Sequence, residues 1–234
     1  QTEHLIDWAR RAEEAARAVP GVTNSEGGDA SWSRSSAALA TSGGFSGSYN
    51  SSRFSFSVSV IAGTDTRMER DYDWSSACFE EDLHSPEEIG KRAGERATRR
   101  LNPRKAASGA VPVVYDPRVS GGLIRHLSGA ISGSSVARGT SFLKDRLNQS
   151  VFATSVQVID DPHRKRGLRS RPFDGEGAPT TPRHIVKDGV LATWLLDSRS
   201  ARQLKLHSTG HAARQTSGLP APVPSNLYLA PGKM

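Results

Sequence analysis

The loop between residues 169 and 177 concentrates two carboxylates and two guanidinium groups in a glycine-rich stretch. Asp174 and Glu176 lie two positions apart, and paired carboxylates act as general acid and base in many hydrolases. Arg169 and Arg171 precede them, and charge-assisted hydrogen bonds from these side chains would keep both carboxylates ionised. The pattern therefore favours a structural clamp, and a free-standing hydrolase using the two carboxylates is the less favoured alternative.

A second candidate is the histidine pair His207 and His211, whose spacing is that of two ligands one helical turn apart. A zinc peptidase helix also needs a glutamate beside the histidines to deprotonate the bound water. The residues between this pair include no glutamate, and Gly210 indicates a loop. Two ordinary polar loop histidines are the favoured interpretation. The run Asp160-Asp161-Pro162-His163 is likewise read as a turn after a strand and not as a cation site.

No nucleophile stands out from the pattern. The serines are abundant, but no Gly-x-Ser-x-Gly elbow occurs, and Cys78 lacks a neighbouring base. The sequence therefore predicts no catalytic residue and no cofactor in this chain. Six residues remain as candidates for contact with a peptide or a partner protein: Arg169, Arg171, Asp174, Glu176, His207 and His211.

The formal net charge of +7 over 234 residues raises the question of a nucleic-acid partner. Acidic residues are interspersed with the basic ones, and the one basic cluster, residues 164–171, has no interleaved aromatic platform. The distribution thus disfavours nucleic acid as the primary partner. The single cysteine fits a reducing compartment, no apolar run reaches the roughly 20 residues that span a bilayer, and a cytoplasmic location with no membrane contact is expected.

The first half is predicted to be helix, sheet, helix. Helical spacing over residues 3–18 places Leu5, Ile6, Ala9, Ala12, Ala16 and Val19 near one face. Alternation of Phe54, Phe56, Val58 and Val60 with serines predicts strands, and glycine-rich turns, including Gly27-Gly28, divide residues 30–74 into about four antiparallel strands. Ser85-Pro86-Glu87-Glu88 predicts the start of a second helix that ends at Asn102-Pro103.

The second half is predicted to open with a buried strand at residues 111–115, followed by a helix capped by Asp116. Gly129 and Gly133 on that helix suggest close packing against a neighbour, and residues 135–147 suggest a further helix. Strands are expected at 156–159, at 226–229 and at 185–196, the last folded at Asp188-Gly189. Ser198 is the expected cap of a short helix ending at Leu204.

Several long segments resemble the TldD/PmbA family, and more closely its TldE (PmbA) branch. They are VPVVYDPR at 111–118, ARGTSFLKD at 137–145, GLRSRPFDGEG at 167–177 and DGVLATWLLD at 188–197, with weaker similarity in FSGSY at 45–49, MERDYD at 68–73 and SPE at 85–87.

The resemblance implies a subunit of a heterodimeric bacterial zinc metallopeptidase that matures or degrades unfolded peptides. In the catalytic TldD branch a His-Glu-x-x-x-His helix binds zinc; on this chain those positions hold Ile124, Arg125 and Gly129, so no metal ligand is expected. Zinc, a TldD-like catalytic subunit and a peptide substrate are the implied cofactor and partners, and self-association of the isolated chain is left open. The alternative is a modulator of DNA gyrase, or another nucleic-acid or protein binding module, without peptidase activity.

The expected fold class is α+β in two lobes. Residues 1–104 would form a helix-flanked antiparallel sheet, truncated at its start. Residues 105–234 would form a β-rich domain with two helices, truncated at its end.

Overall fold

The computed structural model describes residues 2–215 and 217–232, which form two compact units. Among the described residues, the first contains 2–36 and 50–111, and the second contains 37–49, 112–215 and 217–232. Helices accompany antiparallel strands, which confirms the α+β class. The division of the chain at residue 104 stays a prediction, and the grouping of residues 37–49 with the second unit had no signal in the sequence. Within the described residues, no helix is both long and apolar enough to cross a membrane.

The chain begins with helix α1 and three strands and continues with helix α2. Their bounds are α1 Thr2–Arg17, β1 Val22–Ala40, β2 Ser46–Ala62, β3 Glu69–Ala77 and α2 Pro86–Arg99. The remaining helices are α3 Pro117–Ala130, α4 Gly133–Ala137 and α5 Ser198–Leu204. The remaining strands are β4 Val158–Asp160, β5 Arg183–Lys187, β6 Val190–Leu191, β7 Ala212–Ala213, β8 Ala221–Pro222 and β9 Leu227–Leu229.

The first sheet has three strands in the order β1-β2-β3, not the four that were expected. The difference arises at Gly27-Gly28, which lies inside β1 and not in a turn. A Cβ on Gly28 would lie 2.5 Å from the carbonyl oxygen of Ala9, so glycine there lets α1 approach the strand. The predicted alternation in β2 is confirmed, because Phe56, Val58 and Val60 are buried.

Helix α1 covers the sheet, but the expected apolar stripe is partly wrong. Ile6 is 61% exposed, whereas Trp8, Ala12 and Ala16 are buried. Trp8 contributes the aromatic contact to Phe56, with ring centroids 5.8 Å apart. The predicted buried face of α1 was wrong because it included Ile6 and did not include Trp8.

Helix α2 begins where the capping pattern predicts. The Ser85 side chain accepts a hydrogen bond from the Glu88 N–H, and Pro86 occupies the first turn. Ile89 and the alanines of its inner face pack in the core of the first unit. Its outer edge is tied to β3, where Arg92 Nε donates to the buried Asp73 carboxylate at 2.7 Å.

The second unit is built on a four-stranded sheet in the order β6-β5-β4-β9. Asp188 and Gly189 both have positive φ angles and form the predicted hairpin turn between β5 and β6. The core on this sheet is a set of aliphatic side chains and one indole ring: Leu127, Ala130, Ile131, Val136, Leu143, Val158, Ile185, Val186, Leu191, Trp194, Leu195, Leu196 and Ala201.

Four predictions for the second unit are wrong in detail. Residues 111–115 form no strand and are exposed, with Val114 at 95%. The helix expected over 135–147 is the single short α4. A Cβ added to Gly129 would meet no atom within 4 Å among the described residues, so this glycine does not pack closely. A Cβ added to Gly133 would lie 2.6 Å from the Leu196 side chain, so Gly133 does. Helix α5 is capped by Asp197, whose side chain accepts from the Ser200 N–H, and not by Ser198.

Candidate functional site

The carboxylate of Asp174 organises the loop 171–178. The residue is 1% exposed, its Oδ1 accepts hydrogen bonds from the N–H groups of Glu176 and Ala178 at 2.9 Å each, and its Oδ2 accepts from Ala212 N–H at 3.0 Å. Three backbone N–H donors thus satisfy both oxygens of this buried side chain. Asp174 therefore ties the loop to β7 and presents no free oxygen surface to a substrate.

Glu176 points to a different element. Its Oε2 accepts a hydrogen bond at 2.9 Å from the N–H of Ser198, the first residue of α5. A negative charge beside a helix amino terminus is favourable, because the first N–H groups of a helix lack partners within it. Asp174 and Glu176 thus anchor one loop to two neighbours and do not converge on one point, as an acid and base pair would.

The clamp interpretation required Arg169 and Arg171 to bind these carboxylates. Among the described residues, neither arginine forms a hydrogen bond or an ion pair with Asp174 or Glu176. A terminal nitrogen of Arg171 donates to the carbonyl oxygen of Val223 at 3.1 Å, and its Nε has no hydrogen-bond partner among the described residues. Burial lowers the pKa of Arg171, while the charges of Asp174 and Asp160 oppose that shift. Arg169 is exposed and contacts the structure through its backbone N–H, which donates to Asn226.

An aromatic contact holds the same loop from the side of residues 37–49. Phe173 packs against Phe45 and Tyr49, with ring centroids 4.9 and 5.3 Å apart and rings roughly perpendicular. Glycine is required on both sides, because a Cβ on Gly47 would lie 2.9 Å from Phe173 and one on Gly177 would lie 2.6 Å from Phe45. The loop is therefore fixed by polar contacts on one side and by edge-to-face aromatic packing on the other.

The two histidines of the predicted pair have unrelated environments. His207 is exposed, whereas His211 is 2% exposed. Gly210 between them has φ +74°, a conformation that favours glycine and turns the chain. The interpretation of both as ordinary loop histidines is thus wrong for His211.

His211 belongs to a buried polar cluster with Asp160, Thr209 and Ser225. Its Nε2 lies 3.1 Å from Asp160 Oδ2 and its Nδ1 lies 2.7 Å from Thr209 Oγ1, while Ser225 Oγ donates to Asp160 Oδ2 at 2.6 Å. A carboxylate accepts only, so the ring proton that faces Asp160 lies on Nε2. The Thr209 hydroxyl lies between Nδ1 and the Leu196 carbonyl oxygen, which is 3.2 Å away. Sequence reasoning missed this cluster, since its members are separated by up to 65 positions and share no motif.

The resemblance places the zinc-motif positions at Ile124, Arg125 and Gly129, which lie on α3. Ile124 packs against the core of the second unit, and Arg125 and Gly129 are exposed. Zinc in proteins is bound by cysteine, histidine and carboxylate side chains. An alkyl group, a cation and a residue without a side chain do not fit a zinc ion. Across residues 2–215 and 217–232, no group of three or more His, Cys, Asp and Glu side chains is arranged to hold a metal.

Two family models match consecutive parts of the chain. Residues 1–101 match the PmbA/TldA metallopeptidase central domain, and residues 108–234 match the PmbA/TldA metallopeptidase C-terminal domain. The chain belongs to the PmbA/TldD family.

Curated relatives agree with this membership. The chain is 42% identical over 211 residues to the metalloprotease PmbA of Escherichia coli O157:H7, covering 90% of this chain and 47% of that protein. It is 38% identical to the metalloprotease PmbA homologue of Haemophilus influenzae, again covering 90% of this chain and 47% of that protein. A TldD homologue from Buchnera aphidicola is 32% identical and covers 61% of this chain and 30% of that protein. The chain therefore spans about half the length of the PmbA relatives it matches.

Solved structures show the same fold. A candidate modulator of DNA gyrase from Thermotoga maritima aligns with TM-score 0.89 at 29% identity, covering 100% of this chain and 53% of that one. A second from Bacteroides thetaiotaomicron aligns with TM-score 0.88 at 26% identity, covering 99% and 51%. TldE from Thermococcus kodakarensis aligns with TM-score 0.80 at 19% identity, covering 100% and 53%, and shows the fold alone.

Proposed function

We propose that this chain is the central and carboxy-terminal part of a PmbA (TldE)-type subunit that holds no zinc and works with a zinc-bearing TldD-type subunit. The complex would process or degrade unfolded peptides. The observation that carries the proposal is the identity of the residues at the motif positions of α3. Ile124, Arg125 and Gly129 offer no metal ligand in a chain that otherwise belongs to a metallopeptidase family.

The structure of the loop 171–178 supports a binding role over a catalytic one. Both of its carboxylates are engaged by backbone N–H groups of the protein, so neither is poised to move a proton to or from a substrate. The anchored loop presents a fixed surface, which includes the half-buried Phe173 ring, to which a peptide could bind. Such a surface binds and orients a substrate whose bond is cleaved by groups of another chain.

The experiment compares peptide cleavage by three samples: the full-length protein, a TldD-type subunit from the same organism, and their mixture. A synthetic unstructured peptide serves as the substrate. We expect cleavage in the mixture, abolished by a chelator and restored by zinc, and none by this protein alone. Zinc-dependent cleavage by this protein alone would refute the proposal, as would a mixture no more active than the TldD-type subunit.

A second function is a modulator of DNA gyrase that acts by binding DNA or protein. Two observations favour it: the names of the Thermotoga and Bacteroides proteins, and the exposed side chains of Lys165 and Arg169 in the basic loop. If the loop binds duplex DNA, Lys165→Glu with Arg169→Glu weakens binding and reduces its salt dependence. Binding and a salt slope unchanged by these substitutions would eliminate this function for the loop.

A further inference from the structure

Two buried polar atoms of the second unit have no hydrogen-bond partner among the described residues. They are Oδ1 of Asp160 and Nε of Arg171. Asp160 is 1% exposed, and its other oxygen, Oδ2, already contacts His211 and Ser225. Arg171 is half-buried, and one of its terminal nitrogens donates to Val223. A buried polar group without a partner is unfavourable, so each of these two atoms requires a ligand.

The backbone contacts of Arg171 place it beside the cluster around Asp160. Its N–H donates at 2.9 Å to the carbonyl oxygen of Pro162, two residues after Asp160. Its side chain donates at 3.1 Å to the carbonyl oxygen of Val223. The N–H of Val223 in turn donates at 2.8 Å to the carbonyl oxygen of His211, whose ring contacts Asp160. The guanidinium group and the Asp160 carboxylate therefore lie in one small region of the second unit.

The two side chains also interact electrostatically. Burial lowers the pKa of Arg171, and the charges of Asp174 and Asp160 oppose this shift. Because Coulomb interactions weaken with distance, both carboxylates must lie near the guanidinium group. Oδ1 of Asp160 and Nε of Arg171 are nevertheless not hydrogen-bonded to each other. A third group is needed to connect them.

The chemistry of the two atoms restricts what this group is. Oδ1 of an ionised carboxylate only accepts hydrogen bonds, and Nε–H of a guanidinium only donates them. A simple anion donates nothing to Asp160 and is repelled by it. A metal cation accepts nothing from Arg171 and is repelled by it. Water both donates and accepts, carries no charge, and commonly binds two to four polar groups in protein interiors.

We propose that one buried water molecule binds between Oδ1 of Asp160 and Nε of Arg171. It accepts a hydrogen bond from the guanidinium N–H and donates one to the carboxylate. The two charged side chains are thus joined through a neutral bridge, and both unpartnered atoms are satisfied. The water connects the end of β4 to the start of the loop 171–178, so it is a structural ligand of this loop. Its binding is independent of any peptidase role.

A crystal structure of the full-length protein, at a resolution that defines ordered waters, tests the proposal directly. We expect an electron-density peak about 2.7 to 3.2 Å from both Asp160 Oδ1 and Arg171 Nε. A direct hydrogen bond between these two atoms, or no peak beside them, would overturn the proposal. Crystals grown with bromide in place of chloride identify an anion, because bromide scatters anomalously. An anomalous peak at the site would likewise contradict water.

A pair of substitutions tests whether Arg171 is the second partner of the water. Arg171→Met removes the donor and keeps an apolar side chain, and Arg169→Met is the matched control, since Arg169 is exposed and bonds through its backbone N–H. In crystal structures the peak should weaken or move away from residue 171 in Arg171→Met and stay unchanged in Arg169→Met. A peak of unchanged position and strength in Arg171→Met would contradict the assignment.

Nuclear magnetic resonance measures the same contact in solution without altering Arg171. The Nε–H resonance of Arg171 in the full-length protein should show a nuclear Overhauser cross-peak at the water frequency, with the sign that a long-lived bound water gives. The exposed Arg169 should show only fast exchange with solvent. Ser225→Ala removes a hydroxyl of the cluster that could relay the signal, and the cross-peak should persist in this variant. Absence of the cross-peak in the wild type, or its loss in Ser225→Ala, would overturn the proposal.

Discussion

Asp174 accepts a hydrogen bond from the backbone N–H of Ala212, 38 positions later in the chain, at 3.0 Å. This bond joins the loop 171–178 to β7, and β7 follows directly after His211 of the buried cluster. The loop 171–178 and the buried cluster around His211 are thus linked through adjacent residues. Single substitutions can test the contribution of each side chain to stability.

Asp174→Asn should lower the free energy of unfolding by about 1.5 to 3 kcal/mol. The amide keeps one acceptor oxygen and places an NH₂ group against a backbone N–H that then lacks a partner in a buried site. The urea midpoint measured by circular dichroism should fall with an unchanged m-value. Glu176→Gln is the matched control and should cost less, because Glu176 has one bond to Ser198 and is less buried. Equal stability of Asp174→Asn and wild type would show that the three backbone contacts do not hold the loop.

His211 and Ser225 should be energetically coupled, because both contact Asp160 Oδ2. His211→Ala leaves a buried carboxylate with one partner fewer and should destabilise the protein by about 1 to 3 kcal/mol, and Ser225→Ala should cost about 1 kcal/mol. In a double-mutant cycle the coupling energy should exceed about 0.5 kcal/mol. Additive effects would contradict a shared acceptor. Ser208→Ala, at a half-buried site outside the cluster, serves as the reference substitution.

Alanine should have opposite effects at two helical glycines. Gly90→Ala forces a Cβ to within 2.1 Å of the Ala12 carbonyl oxygen, so it should destabilise the protein by about 1 to 3 kcal/mol. Gly122→Ala meets no atom and should stabilise it by about 0.5 to 1 kcal/mol. Thermal unfolding should show a lower Tm for Gly90→Ala and a higher Tm for Gly122→Ala than for the wild type. A loss of stability in Gly122→Ala would contradict open space beside this glycine.

The contact between α1 and α2 should weaken in acid. Arg11 Nε donates to Glu87 Oε1 at 2.7 Å, and this bond lowers the pKa of Glu87 from its ordinary value of 4.5. A lowered folded-state pKa gives stability that is present above pH 4.5 and is lost as the pH falls through the folded value. Because both side chains are well exposed, the effect is modest and salt-sensitive. Urea midpoints of wild type and Glu87→Gln should differ at pH 6 and converge as the pH falls through the folded-state pKa of Glu87. A gap that persists after the carboxyl is protonated would contradict this account.

The parts of the fold that the sequence predicted are those governed by local pattern. The alternation Phe56, Val58, Val60 fixes which face of β2 is buried, and Ser85 with Pro86 sets the start of α2. The prediction of a buried strand at residues 111–115 was wrong. It relied on the valine-rich composition, which does not reveal whether a partner strand is present. Only tertiary context distinguishes the two cases.

The contacts of the candidate loop could not be predicted from the sequence. Charge proximity in the sequence suggested that Arg169 and Arg171 hold Asp174, whereas backbone N–H groups hold it, and these carry no signature in a sequence. His211 drew attention through its spacing from His207, yet its partners Asp160 and Ser225 come from distant segments. Long-range polar contacts of this kind require the fold before they can be assigned.

The proposed function depends most on the prediction that the full-length protein holds no zinc at the α3 positions occupied by Ile124, Arg125 and Gly129. Metal analysis of the full-length protein by inductively coupled plasma mass spectrometry, after dialysis against zinc and then buffer, tests it most directly. The account predicts zinc far below one equivalent per chain, unchanged by Arg125→Ala. One tightly held equivalent of zinc that Arg125→Ala or His126→Ala removes would contradict it.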